Sequence, residues 1–174
     1  MKKTLILFFI LGFISNSIAQ ESKLYENSTI GIKVEIPDWL NQIETGKENL
    51  WGGTFTAIDG IENALMITYF DKSEFKSFNE FQRIYITGNT FGKPTLFSEK
   101  HICYGYNERD LFKIEKGVSC RVFTLFENKI YHNQFCLIEV DNTFIWIQFV
   151  STPETYDTNI GKFKAFVESI EYLN

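Results

Sequence analysis

The sequence predicts an α+β fold, an antiparallel sheet of about six to eight strands flanked by helices, on three observations. Ile130–Val140 and Thr143–Val150 read as two long antiparallel strands joined by Asp141-Asn142, a dipeptide that tolerates the positive φ of tight turns. The second strand is apolar on both faces, with Phe144, Trp146 and Val150 on one side and Ile145, Ile147 and Phe149 on the other. A strand that dry belongs in the middle of a sheet covered on each face. Directly after it, Tyr156, Ile160, Phe163, Phe166, Val167 and Ile170 share one arc of a helix that can supply one cover.

The elements follow in order. Residues 1–19 read as a signal peptide: Lys2 and Lys3 are the positive start and Leu5 to Ile14 the apolar centre. Ser17-Ile18-Ala19 gives the small-x-small pattern read by signal peptidase. The apolar run is too short for a span, and no run of about 18 apolar residues occurs later. No transmembrane span is therefore expected after cleavage. Residues 20–174 are expected to form a single domain. Ser22–Tyr25 is a short leading strand or arm, and Thr29–Ile36 alternates with Ile30, Ile32, Val34 and Ile36 inward. Pro37-Asp38-Trp39-Leu40 is a turn whose Trp39 plugs the end of the core, and Asn41–Glu48 is a polar loop.

Leu50–Ile58 and Ala64–Phe70 form the next strand pair around Asp59-Gly60. Gly52-Gly53 marks a bulge, or a close approach of backbones. Ser77-Phe78-Asn79-Glu80 fits a capping box and opens a helix over the Phe78–Gly88 region, with Phe78, Phe81, Ile84 and Tyr85 facing the sheet. Lys100–Tyr106, Leu111–Glu115 and Val118–Phe126 are strands. Asn107–Asp110 and Glu127-Asn128 are turns. The last helix runs over residues 153–171, with Thr152 as N-cap and Pro153 in the first turn.

Charge narrows the function classes. The formal net charge is −5, and loss of Lys2 and Lys3 with the leader makes it two units more negative. With no Lys/Arg stripe, binding to a phosphate backbone is excluded, so no nucleic acid is expected as a partner. Cys103, Cys120 and Cys136 are read as small buried hydrophobes, with a Cys120–Cys136 bridge as the alternative in an exported chain.

The strand Gly31-Ile32-Lys33-Val34-Glu35-Ile36 running into Pro37-Asp38-Trp39, the closing hairpin, and the helix Tyr156…Phe163…Phe166…Ser169-Ile170 together resemble the PsbP/DcrB-like superfamily. The resemblance covers most of residues 20–174 and rests on core and turn positions. It implies a PsbP-like α/β/α sandwich in a bacterial envelope protein, with binding or assembly roles rather than catalysis. It carries over no functional residue.

Spacings that carry chemistry are few. There is no Gly-x-Ser-x-Gly elbow, His-Glu-x-x-His, phosphate-cradling loop or Cys-x-x-Cys. His101 and Cys103 share a strand face, as do His132 and Cys136, yet the spacing matches no metal pattern. No catalytic residue, metal or cofactor is expected. The aromatic load of 18 Phe, 8 Tyr and 3 Trp is the unusual feature, and most of it is expected in the core. Trp51, Tyr69, Tyr104, Tyr106 and Tyr131 sit in strands of mixed polarity and are the candidates for a ligand or partner surface. The expected function is that of a secreted or periplasmic, non-enzymatic interaction or assembly module binding an envelope protein. The alternative is a carrier holding an apolar small ligand in an aromatic-lined cavity.

Overall fold

Alternation of apolar and polar residues in short runs, punctuated by turn dipeptides, produces eleven strands in the computed structural model, which describes residues 23–107, 114 and 116–173. They are β1 (Lys23–Asn27), β2 (Ile32–Ile36), β3 (Leu40–Ile43), β4 (Leu50–Phe55), β5 (Ala64–Asp71), β6 (Pro94–Thr95), β7 (Ser98–Asn107), β8 (Gly117–Phe126), β9 (Lys129–Val140), β10 (Thr143–Ser151) and β11 (Glu171–Tyr172). The helices are α1 (Phe78–Gln82), which continues as a π-helical turn over Arg83–Thr87, and α2 (Pro153–Glu168). The leader, and most of the expected Asn107–Asp110 turn and Leu111–Glu115 strand, lie outside the described residues.

Eight strands form one antiparallel sheet in the order β3-β4-β5-β10-β9-β8-β7-β6. β10 lies between β5 and β9, the central place that its two apolar faces require. Ile145, Ile147 and Phe149 join Phe163, Phe166 and Val167 of α2 in one core. Phe144 joins Phe81, Tyr85 and Ile86 in a second core on the opposite face. The helices therefore sandwich the sheet, as expected.

Several local expectations change. Thr29–Ile36 does put Ile30, Ile32, Val34 and Ile36 inward, but β2 leaves the main sheet. It forms a separate three-stranded sheet, β1-β2-β11, because the chain turns back after α2 and pairs Glu171 and Tyr172 with Lys33 and Ile32. The helix accordingly stops at Glu168 rather than near residue 171. Asn41–Glu48 is no plain loop: Leu40–Ile43 is the edge strand β3, recruited by β4 despite its polarity. An edge strand has only one bonded side, so polar side chains suffice there.

Gly52-Gly53 is a close approach and not a bulge, since its pairing with Leu65 and Met66 keeps register. A Cβ on Gly53 would stand 2.9 Å from both the Asn41 carbonyl oxygen and Leu40 Cγ. The β8–β9 hairpin turns on Glu127 and Asn128, both left-handed at φ 49° and 61°. That is the paired positive φ of a two-residue hairpin. The β9–β10 turn at Asp141-Asn142 needs no positive φ at either residue.

The caps differ in detail as well. Ser77 Oγ accepts from Glu80 N at 3.2 Å as expected, while Glu80 reaches back to Lys76 N rather than to the cap residue. A reciprocal box forms one turn earlier, at Asp71 and Glu74. Thr152 holds the extended cap conformation without a side-chain cap bond.

All three cysteines are free and buried. Register places Cys136 opposite Ser119 and Cys120 opposite Phe135, so Cys120 faces the α1 core and Cys136 the α2 core. Neighbouring strands thus hold the two thiols on opposite faces, which removes the bridge. Unfolded without reductant, the chain should take up three equivalents of iodoacetamide, and the native chain none. Uptake of a single equivalent after unfolding would show a disulfide.

Candidate functional site

Pairing register decides where each candidate aromatic points. Trp51 is opposite Ile67, on the α2 side, and is 7% exposed. Its ring lies between Tyr25 at 5.1 Å and Phe166 at 6.1 Å, the latter parallel within 1°. Tyr69 packs against the same core and donates its hydroxyl to the Glu48 carbonyl at 3.0 Å. These two rings therefore serve as wall and anchor for the β3–β4 connection. Tyr131 is half-buried and touches Phe126, at 6.5 Å between ring centres.

Tyr104 and Tyr106 are exposed, at 52% and 37%. A register shift between Cys103 and Gly105 turns this part of β7 outward. Tyr104 meets Phe91, 68% exposed, at 5.5 Å. The five candidates thus fall into separate places: two on the β4–β5 side of the sheet, three toward β7 and β9. Phe91 was missed by the sequence reading. Its signal was a large aromatic between a helix stop and Gly92-Lys93-Pro94, where turn residues are expected.

The Trp39 turn forms a second feature. Trp39 is half-buried, stacked on Phe55 at 4.7 Å, with Lys162 Nζ 5.9 Å from its ring centre. It does not fully plug the core end, and an open cleft of about 480 Å³ remains beside it. Glu35, Ile36, Pro37, Asp38, Trp39, Ala165, Phe166 and Ser169 line that cleft. A wider, shallower one of about 740 Å³ runs over Gln42–Glu48, Leu50 and Trp51.

Polar groups inside the sandwich are mostly satisfied. On the α2 side Tyr156 donates to Gln134 at 3.0 Å, and Gln134 donates to Ser119 at 2.6 Å. The Arg121 guanidinium lies over the Tyr156 ring at 3.9 Å. Burial pushes the Tyr156 hydroxyl up to about 12 against the pull of Arg121. His132 stands edge-on to Tyr156 at 5.3 Å, and burial, helped by Arg121, holds its imidazole below the ordinary value. A second clasp joins Asn63 to Thr155 at 2.8 Å and Asn159 to Asn63 at 2.9 Å, tying the β4–β5 connection to α2.

The His–Cys pairs do not assemble. β8 separates β7 from β9, His101 Nδ1 is 2.8 Å from Ser98 Oγ, and His101 stacks on Phe126 at 4.7 Å. Among the described residues, no group of three or more His, Cys, Asp and Glu is placed to hold a metal. No described helix is long and apolar enough to cross a membrane.

The sequence matches no family model and no curated protein. Solved structures do match in shape. Yeast (Saccharomyces cerevisiae) Mog1p, a Ran-binding protein, superposes with a TM-score of 0.54 at 8% identity, over 88% of this chain and 96% of its own. Cyanobacterial PsbP (CyanoP) from Synechocystis gives 0.50 at 11% identity, over 90% and 95%. LpqN of Mycobacterium tuberculosis, involved in cell envelope biogenesis, gives 0.47 at 8% identity, over 90% and 88%. With its helix-flanked antiparallel sheet, the chain has the PsbP/Mog1/DcrB-like fold.

Proposed function

We propose that the protein is an exported protein-interaction or assembly module of a bacterial cell envelope, acting by binding rather than by catalysis. The observation that carries this reading is the exposed Phe91–Tyr104 pair on a sandwich whose two cores are already filled. Burying a Phe side chain is worth about 1.5–3 kcal/mol, so two such rings held in water favour a covering surface. The leader expected at residues 1–19 supports export, and residues 20–174 would be the working domain. The shared fold with a Ran-binding protein and a PsbP supports a binding role, since the fold by itself hosts many functions. The five candidate aromatics then divide their work: Tyr104 and Tyr106 face the partner, and Trp51, Tyr69 and Tyr131 hold the scaffold.

A photoreactive residue in place of Tyr104, expressed in the native host, tests the reading. We expect one defined protein adduct, lost when Phe91→Ala is added. The same group at Asp157, on the solvent side of α2, should give none. Adducts to lipid alone, or identical adducts from both positions, would replace the module with another role.

A further inference from the structure

We infer that the cleft between the Pro37–Trp39 turn and the last turns of α2 binds a basic, apolar segment of a partner protein. The inference deepens the binding reading above and rests on it, but uses a different surface. The cleft floor is apolar, with Ile36 and Phe166 buried at 8% and 2% exposure and Trp39 and Pro37 half-buried beside them. Its volume of about 480 Å³ takes a few side chains rather than a folded element.

The charge around that floor is of one sign. The lining residues include two exposed carboxylates, Glu35 and Asp38, and no Lys or Arg. Ala165, Phe166 and Ser169 belong to the C-terminal end of α2, where the helix dipole is negative. The last turn of that helix carries no basic side chain to offset it. Trp39 adds the face of an indole, and Lys162 already stands 5.9 Å from its centre, so the ring accepts a cation in this setting. An apolar floor, two carboxylates, a helix C-terminus and an indole face together suit a chain that pairs Leu- or Ile-like side chains with Lys or Arg. An acidic or purely apolar segment would meet repulsion or leave the carboxylates uncompensated.

The test uses the mature chain with two short synthetic peptides, one of alternating leucine and lysine pairs, the other with glutamate in place of lysine. Binding is read by backbone amide shifts and by tryptophan fluorescence. The lysine peptide should bind at least about tenfold more tightly, weaken as salt is raised, and shift residues 35–39 and 165–169. Glu35→Lys, an exposed site where folding is not at stake, should abolish the preference. Trp39→Leu, which keeps an apolar side chain on Phe55, should weaken the lysine peptide while leaving the melting curve near wild type. Equal binding of the two peptides, or no binding, would overturn the inference. So would shifts confined to Phe91 and Tyr104, an outcome that would leave the Phe91–Tyr104 interaction reading standing.

Discussion

Phe163→Ala should destabilise the protein by about 3–5 kcal/mol, the range for truncating a fully buried Phe and leaving a cavity behind. Phe163 is 0% exposed, near the middle of the apolar arc of α2, and stacks on Phe149 of β10 at 5.4 Å with planes 22° apart. Phe149 in turn touches Phe55 at 5.1 Å and Tyr156 at 5.8 Å, so the cavity would open in the centre of a ring cluster that cannot readily collapse. A loss of that size is a large share of the total of about 5–15 kcal/mol expected for a domain. Glu168→Ala, on the same helix, removes only an exposed i,i+4 contact to Lys164 at 3.7 Å and should cost no more than about 0.5 kcal/mol. Urea melts of both variants check the pair. If Phe163→Ala melts with wild type, α2 is not docked as a structural cover.

Phe81→Ala, on the other face, should cost a similar amount, again about 3–5 kcal/mol. Phe81 is 0% exposed although its α-helix has only five residues. So short a helix has little stability of its own, and packing must hold it. The ring meets Phe70 at 5.5 Å, Phe75 at 5.0 Å, Tyr85 at 4.8 Å and Phe144 at 5.0 Å. Phe81 is the hinge pin of that cluster, whereas Phe91, a few residues later and 68% exposed, should tolerate alanine within about 0.5 kcal/mol. Denaturant titrations followed by near-UV circular dichroism would show it. Equal melts for the two variants would mean that α1 is a loose flap and not the second cover.

The contrast between these two phenylalanines marks how far the sequence could be read. Phe81 was legible because Phe78, Phe81 and Tyr85 recur at helical spacing behind a Ser77 cap, and periodicity reports which way a side chain points. Phe91 stands in a turn, where no period operates, so nothing local distinguished an exposed ring from a buried one. For the same reason Trp51 and Tyr69 read as surface candidates from the mixed polarity of their strands. Only pairing across β4, β5 and β10 and the docking of α2 show that Trp51 is 7% exposed and Tyr69 tied to Glu48.

What the sequence by itself determined is local and periodic: the alternation of β2, the two-faced dryness of β10, the arc of α2, and the turn pairs at Asp59-Gly60 and Glu127-Asn128. These follow from side-chain spacing and backbone sterics within about ten residues, so one chain segment contains its own answer. Tertiary structure decided the rest. It drew Leu40–Ile43 into the sheet edge, split β2 off to meet β11, and separated Cys120 from Cys136 across the sheet. It also brought Pro37–Trp39 against Ala165–Ser169 to make a cleft from positions more than a hundred residues apart. Such pairings are chosen by burial and register between distant segments, and no local pattern encodes them.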